Sequence, residues 1–130
     1  MPILKTISEK KATGKVKKIF NDIKKVRNIK IIPNFWQTIA ADPDTLERTW
    51  NSLRQVMENG EIDTLTKEMI YIAVSMTNSC EYCIRSHTLA AKKKGMSDKM
   101  LKELIAVVAM ANETNRLVES YQVEVDKFLK

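Results

Sequence analysis

Helix-forming periodicity with little to interrupt it is the feature that most constrains this chain. Across 130 residues the sequence contains only three glycines and three prolines. These are the residues that most often end regular structure, so long segments can remain helical. Apolar residues recur three and four positions apart almost throughout, which is the spacing of one helix face and differs from the alternation of a strand. The sequence therefore predicts an all-α fold.

Start and stop signals place the helices of the first half. The apolar residues of Ala12 to Arg27 lie at helical spacing and predict an amphipathic helix with lysines outward. The chain then breaks at Pro33. Asp42 as an N-cap before Pro43 predicts the start of a second helix, which stops at Asn59-Gly60.

The second half reads as three further helical segments. One begins at Asp63 or Thr64 and runs to about Asn78, and the next covers Ser79 to Lys94, with the following glycine as its left-handed cap. Ser97 caps a last segment that breaks near Asn112 before continuing to Phe128. This segment is apolar on several sides around Leu104 to Ala111, so we expect it to be buried, between subunits of an oligomer.

Length and composition favour one domain covering residues 1–130. With 130 residues, of which 44% are hydrophobic, the chain is long enough for one domain with its own hydrophobic core and too short for two such domains. Met1 to Lys11 lacks the apolar run of a secretory signal, and no segment approaches the roughly 20 apolar residues of a membrane span. We expect a cytoplasmic protein that does not associate with membranes.

The positive charge is concentrated in a basic N-terminal arm and helix. Met1 to Lys30 contains ten Lys and Arg residues against only Glu9 and Asp22, whereas the whole chain has a net charge of +6. The lysines are not interleaved with aromatic residues or joined to a nucleic-acid-binding motif. A solvated helix face explains them better than nucleic-acid binding does.

Two cysteines and the single histidine form one dense cluster. If 79–94 is helical, then Cys80, Cys83 and His87 lie at i, i+3 and i+7 and share a face. A disulfide three residues apart closes too short a loop to stabilise a fold, but its geometry is feasible. Because a helix N-terminus lowers the pKa of a thiol, the cluster predicts redox chemistry in which the pair cycles between dithiol and disulfide.

Glu68 precedes this cluster by one helix and falls on a largely apolar face. A buried carboxylate needs a partner, which could be an Arg or Lys elsewhere or a proton relay at the cysteines. His87 follows Cys83 by four residues and can take a thiol proton directly or through a water.

Two other kinds of chemistry remain open for the same residues. Cys80, Cys83, His87 and Glu68 could bind zinc, but three ligands from one helix with no second ligand pair make a metal site the weaker reading. We expect no metal and no cofactor. The pair could also serve a disulfide-exchange or redox-sensing module that does not turn over peroxide.

The pattern E-x11-C-x2-C-x3-H, formed by Glu68, Cys80, Cys83 and His87, resembles the alkylhydroperoxidase D-like branch of the carboxymuconolactone decarboxylase family. The similarity extends from about Pro33 to Ala111. The decarboxylase branch of that family lacks the cysteine pair, so an enzyme of that branch is a less favoured alternative.

This resemblance implies a helix-hairpin core, a trimer or hexamer, and a peroxidase of peroxiredoxin-like activity. It implies that Cys83 attacks the hydroperoxide, that Cys80 resolves the product, and that Glu68 and His87 relay the thiol proton. The reductant would be a dithiol, such as a lipoylated or thioredoxin-like protein. The helix dipole by itself would favour Cys80 as the thiolate, so the two cysteine roles stay open.

Overall fold

The computed structural model describes residues 1–130 and contains helices with no strand, which confirms the predicted all-α class. Contacts group the chain into two units, Met1–Glu58 and Asn59–Lys130. The α-helices are α1 (Gly14–Arg27), α2 (Asn34–Ile39), α3 (Pro43–Met57), α4 (Thr64–Thr77), α5 (Glu81–Lys93) and α6 (Asp98–Ser120), with short 3-10 turns at Glu9–Lys11 and Lys127–Leu129. None of the helices combines the length and apolar character needed to cross a bilayer.

The first unit packs α1, α2 and α3 around an aromatic centre. The rings of Trp36 and Trp50 meet edge to face with centroids 5.5 Å apart, and the Arg27 guanidinium lies over both. The indole N–H of Trp50 donates to Asp22, which satisfies its one polar atom. The predicted apolar face of α1 is buried against this centre.

Local signals predicted most helix ends in this unit and missed one helix. Asp42 caps α3 by accepting from the backbone N–H of Asp44, with Pro43 at the first helical position. The break expected at Pro33 is instead the start of α2, because proline at a helix start loses no intrahelical hydrogen bond.

In the second unit α4 and α5 form an antiparallel hairpin joined by residues 78–80. Ser75 near the end of α4 lies beside Cys80, and Glu68 near the beginning of α4 reaches Lys94 just after α5. Asp63 caps α4 by accepting from the N–H of Thr66. The antiparallel hairpin implied by the resemblance is therefore present.

Helix α6 differs from its prediction in three ways. It ends at Ser120, whereas the predicted segment continued to Phe128. It continues through Asn112 without a break, because the Asn112 side chain donates to the Val108 carbonyl and to Thr77 without displacing the backbone ladder. Of the apolar run at 104–111, only Leu104 is buried within the chain, whereas Val107 and Met110 are exposed. The core of this unit is small and consists of Ile72, Ala91, Met96 and Leu104, with partly buried side chains around it.

Candidate active site

The connection from α4 to α5 sets the position of the first cysteine. Ser79 adopts a left-handed backbone with φ of +57°, and the Cys80 N–H then donates to the Ser75 carbonyl. Cys80 is consequently the N-cap of α5 and not its second residue, which corrects the predicted helix from Ser79. The prediction was wrong because the short hairpin requires a reversal that residues 78–80 provide.

The two cysteines are joined in a disulfide at the N-terminus of α5. Their Cα atoms lie 5.3 Å apart, within the usual range for a bridged pair. Cys80 Sγ also accepts from the Cys83 N–H at 3.4 Å, as an N-cap side chain accepts from the third helical residue. In this form the sulfurs are bonded to each other and neither is a thiolate.

Behind the disulfide lies a buried histidine–carboxylate pair. His87 Nδ1 is 2.6 Å from Glu68 Oε2, and the two residues are 8% and 6% exposed. Helix α4 supplies the carboxylate and α5 the imidazole, so the pair depends on the packing of the hairpin. The structure thus brings Glu68 to the histidine of the cysteine motif.

Lys94 completes the surroundings of the carboxylate. Its ammonium lies 3.2 Å from Glu68 Oε1, the oxygen that does not face His87. Both partners considered from the sequence, a lysine and the histidine, are therefore present at once. The sequence analysis missed Lys94 as a site residue. Its spacing was the available signal, because Lys94 follows His87 by seven residues, which brings it to the same side at the end of α5.

These partners determine the charge state of Glu68. Burial raises the pKa of its carboxyl, but the hydrogen bonds from His87 and Lys94 outweigh burial and lower the pKa below its ordinary value. An ionised carboxylate can only accept, so His87 Nδ1 carries the proton that it donates to Glu68. The other ring nitrogen, Nε2, is then the basic one.

Tyr71 is a site residue that the sequence analysis missed. Its ring stacks on the His87 imidazole with centroids 3.5 Å apart and an interplanar angle of 20°. The signal was its position three residues after Glu68, on the same face of α4. This stacking covers one face of the imidazole and restricts its rotation.

A groove runs beside the cysteine-bearing turn within the second unit. It has a volume of about 580 Å³, and its walls come from α5, α6 and the end of α4. Glu81 and Ile84, which directly follow the two cysteines, line it. Its apolar lining includes Met76, Leu89, Leu101 and Ile105.

Fold and site together define a structural class: an antiparallel helical hairpin with a disulfide at one helix N-terminus and a buried histidine–carboxylate pair contributed by its two helices. The sequence profile described as "Carboxymuconolactone decarboxylase family" matches residues 43–123. The chain belongs to this family, as its resemblance predicted.

Individual relatives narrow this placement. A crystal structure titled "Alkylhydroperoxidase AhpD core" from Rhodospirillum rubrum superposes with a TM-score of 0.95 at 40% identity, covering 100% of this chain and 98% of that one. "Uncharacterized protein 4 in cox locus" from Paracoccus denitrificans is 33% identical over 54 residues, 42% of this chain and 49% of that protein. The match thus spans about half the length of that curated relative. The chain is an AhpD-like member of the family.

Proposed function

We propose that this chain is a thiol-dependent peroxidase of the alkylhydroperoxidase type. The observation that carries the proposal is the buried Glu68–His87 pair, which lies one helical turn behind a disulfide that can open to two thiols. A general base next to a thiol is what peroxide reduction by cysteine requires. The likeness to the AhpD core of R. rubrum supports the same reading.

In the first step the reduced Cys83 gives its thiol proton to His87 Nε2. The resulting thiolate attacks one oxygen of the hydroperoxide, the O–O bond breaks, and the departing alkoxide takes the proton from His87 to leave as an alcohol. Cys83 becomes a sulfenic acid, oxidised by two electrons. Glu68 keeps its hydrogen bond to Nδ1 throughout and stabilises the transient imidazolium.

In the second step Cys80 attacks the sulfur of the sulfenic acid, and water leaves as the disulfide forms. Cys80 suits this role because its sulfur occupies the N-cap, where the Cys83 N–H and the helix dipole stabilise a thiolate. A dithiol then reopens the disulfide by two exchange steps and is itself oxidised. A lipoylated or thioredoxin-like protein has the required chemistry, and we place this cycle in the cytoplasm.

The proposal includes a homo-oligomer, a trimer or hexamer. One face of α6 exposes apolar residues that no part of the same chain covers, among them Val107, Met110 and Val118. Such a face is unusual for a monomer in water. Association of copies through it would bury this surface.

Thiol counting under peroxide tests the function directly. The protein is reduced, freed of reductant, and its thiols are titrated before and after one equivalent of hydrogen peroxide or an alkyl hydroperoxide. We expect rapid loss of both thiols in the wild type, no disulfide in Cys83→Ser, and a trapped sulfenic acid in Cys80→Ser. Trapping in Cys83→Ser instead would exchange the two cysteine roles.

A disulfide-exchange module without peroxide turnover is the second candidate. It is favoured by the position of the disulfide at a helix N-terminus, where Cys80 would be a good leaving thiolate. Thiols that survive both peroxides but exchange readily with a small disulfide would select this function over the peroxidase.

A further inference from the structure

Two side chains contact the Glu68 carboxylate, one at each oxygen, and they differ in their exposure to solvent. His87 on Oε2 is buried, whereas the Lys94 side chain on Oε1 is 37% exposed and meets solvent at the end of α5. Lys94 thus stands outside the reacting atoms, yet it is in direct contact with the group that orients the base. No step of the proposed cycle uses it.

We propose that Lys94 is a positioning residue: its ammonium balances the charge of Glu68, so that His87 stays neutral and able to accept a proton from Cys83. The inference rests on the proposed function, which it deepens by naming what sets the protonation of the base.

The physical reason lies in the charge of a buried pair. A lone carboxylate against an imidazole favours the imidazolium, which has no lone pair to accept a thiol proton. With Lys94 on the other oxygen, the three groups sum to zero charge when the imidazole is neutral. Lys94 therefore lets Glu68 orient His87 without holding a second proton on it. The lowered pKa of the Glu68 carboxyl agrees with this arrangement.

The other groups packed around the pair do not supply this balance. From α4, Tyr71 stacks on the imidazole as a neutral ring. From α5, the disulfide carries no charge. Helix α6 contributes Leu101, Leu104 and Val108 to the adjoining core, all of them apolar.

The neighbouring lysines provide a matched control. Lys92 pairs with Asp98, and Lys93 is exposed with no ion pair to Glu68. Lys93→Met and Lys94→Met remove the same charge from the same helix end. A general effect of net charge or of the helix dipole changes both variants, whereas charge balance at Glu68 changes only the second.

Because His87 is the only histidine, NMR titration of its ring in the intact oxidised protein reports on it alone. We expect Lys94→Met to move the titration midpoint to higher pH, equivalent to about threefold to tenfold tighter proton binding. Lys93→Met should leave the midpoint in place, and Lys94→Arg should restore it. Equal shifts in the Lys93 and Lys94 variants, or none in Lys94→Met, would overturn the proposal.

Peroxide-driven thiol loss gives the second readout. In Lys94→Met the rate at neutral pH should fall about threefold to tenfold and recover at alkaline pH, because the base is protonated over a wider range. If the wild-type thiols do not react with peroxide, but Lys94→Met shifts the His87 titration midpoint and Lys93→Met does not, the peroxidase proposal fails and the role of Lys94 stands. If peroxide turnover is present with identical pH profiles in wild type and Lys94→Met, the role of Lys94 fails alone.

Discussion

The two units of the chain use their buried interiors differently. In Met1–Glu58 ten buried residues, all apolar, form one cluster around two tryptophans. In Asn59–Lys130 only four buried apolar residues form the core, and Glu68, Ser75 and His87 are buried beside them. Burial of titratable groups contributes less hydrophobic stabilisation and needs hydrogen bonds to offset desolvation. The first interior is entirely apolar, whereas the second combines a small apolar core with a buried histidine–carboxylate pair.

One carboxylate in each unit shows the same contrast on a smaller scale. Glu9 lies near the surface, where the Ile32 N–H and Lys24 lower the pKa of its carboxyl and fasten the N-terminal turn to the rest of the unit. Glu68 is buried, and its hydrogen bonds must first overcome the effect of burial on its pKa. Glu9 fastens a chain segment, whereas Glu68 pairs with the His87 ring inside the hairpin.

The largest expected effect is on activity in the second unit. Replacing Cys83 with Ser should reduce hydroperoxide consumption, with dithiothreitol as reductant, on the order of a thousandfold or more, because the thiol proposed to be deprotonated by His87 is gone. Unfolding of the first unit should be unchanged. Both tryptophans lie in that unit, so their fluorescence follows its unfolding separately. Residual turnover near the wild-type level would remove Cys83 from the mechanism.

The next effect is on stability in the first unit. Leu46 is fully buried, so Leu46→Ala should lower the free energy of unfolding by about 2–5 kcal/mol through lost burial and a residual cavity. Urea unfolding followed by tryptophan fluorescence measures it. Ala73→Gly, on α4, is the control for destabilisation of the second unit, and it should barely change the unfolding transition that tryptophan fluorescence reports. If both variants shift that transition equally, the two interiors are not separate in stability.

The fold was predictable where local signals decide it. Asp42, Asp63 and Ser97 each accept a hydrogen bond as N-caps, and an N-cap depends on only a few neighbouring residues. The backbone reversal at Ser79 and the exposed face of α6 depend on how helices pack, which hydropathy at helical spacing does not encode.

The site was predictable only in part for the same reason. Cys80, Cys83 and His87 stand close in the sequence, and the helical spacing of α5 places His87 one turn after Cys83. The pairing of Glu68 with His87 depends on the antiparallel packing of α4 and α5, which the family resemblance suggested and periodicity could not. Tyr71 and Lys94 lay on the correct helix faces, but nothing in the sequence distinguished them from ordinary core and surface residues.

A moderate effect is expected from acidification. The pKa of Glu68 is lower in the folded chain than its ordinary value of 4.5, so its ionised form stabilises the fold above that pH. This stabilisation is lost as pH falls through the folded value. Glu68→Gln should therefore flatten the decrease in stability below about pH 4.5, measured as urea midpoints by far-UV circular dichroism.

The matching change in the first unit sharpens the comparison. Glu9→Gln should likewise flatten the decrease in stability at low pH, because the pKa of Glu9 is also lowered. Here unfolding is followed by tryptophan fluorescence, which reports on the first unit. Only Glu68→Gln should slow thiol oxidation by peroxide. Equal losses of activity in the two variants would mean that Glu68 acts through stability alone.

The smallest effect on folding should come from the exposed face of α6. Val107 and Val118 are both exposed, so replacing them together with serine should change the free energy of unfolding by less than about 0.5 kcal/mol per site in the isolated chain. If that face joins copies, the same change removes apolar interface area and weakens association. Sedimentation over a dilution series should then show a trimer or hexamer for the wild type and smaller species for the variant. Glu113→Ser, on another exposed face of α6, should leave the mass unchanged. A wild type that remains monomeric at all concentrations would contradict the proposed oligomer. The apolar face of α6 would then be exposed to solvent in the native protein, and the small core of the second unit would be stable without burial against another copy.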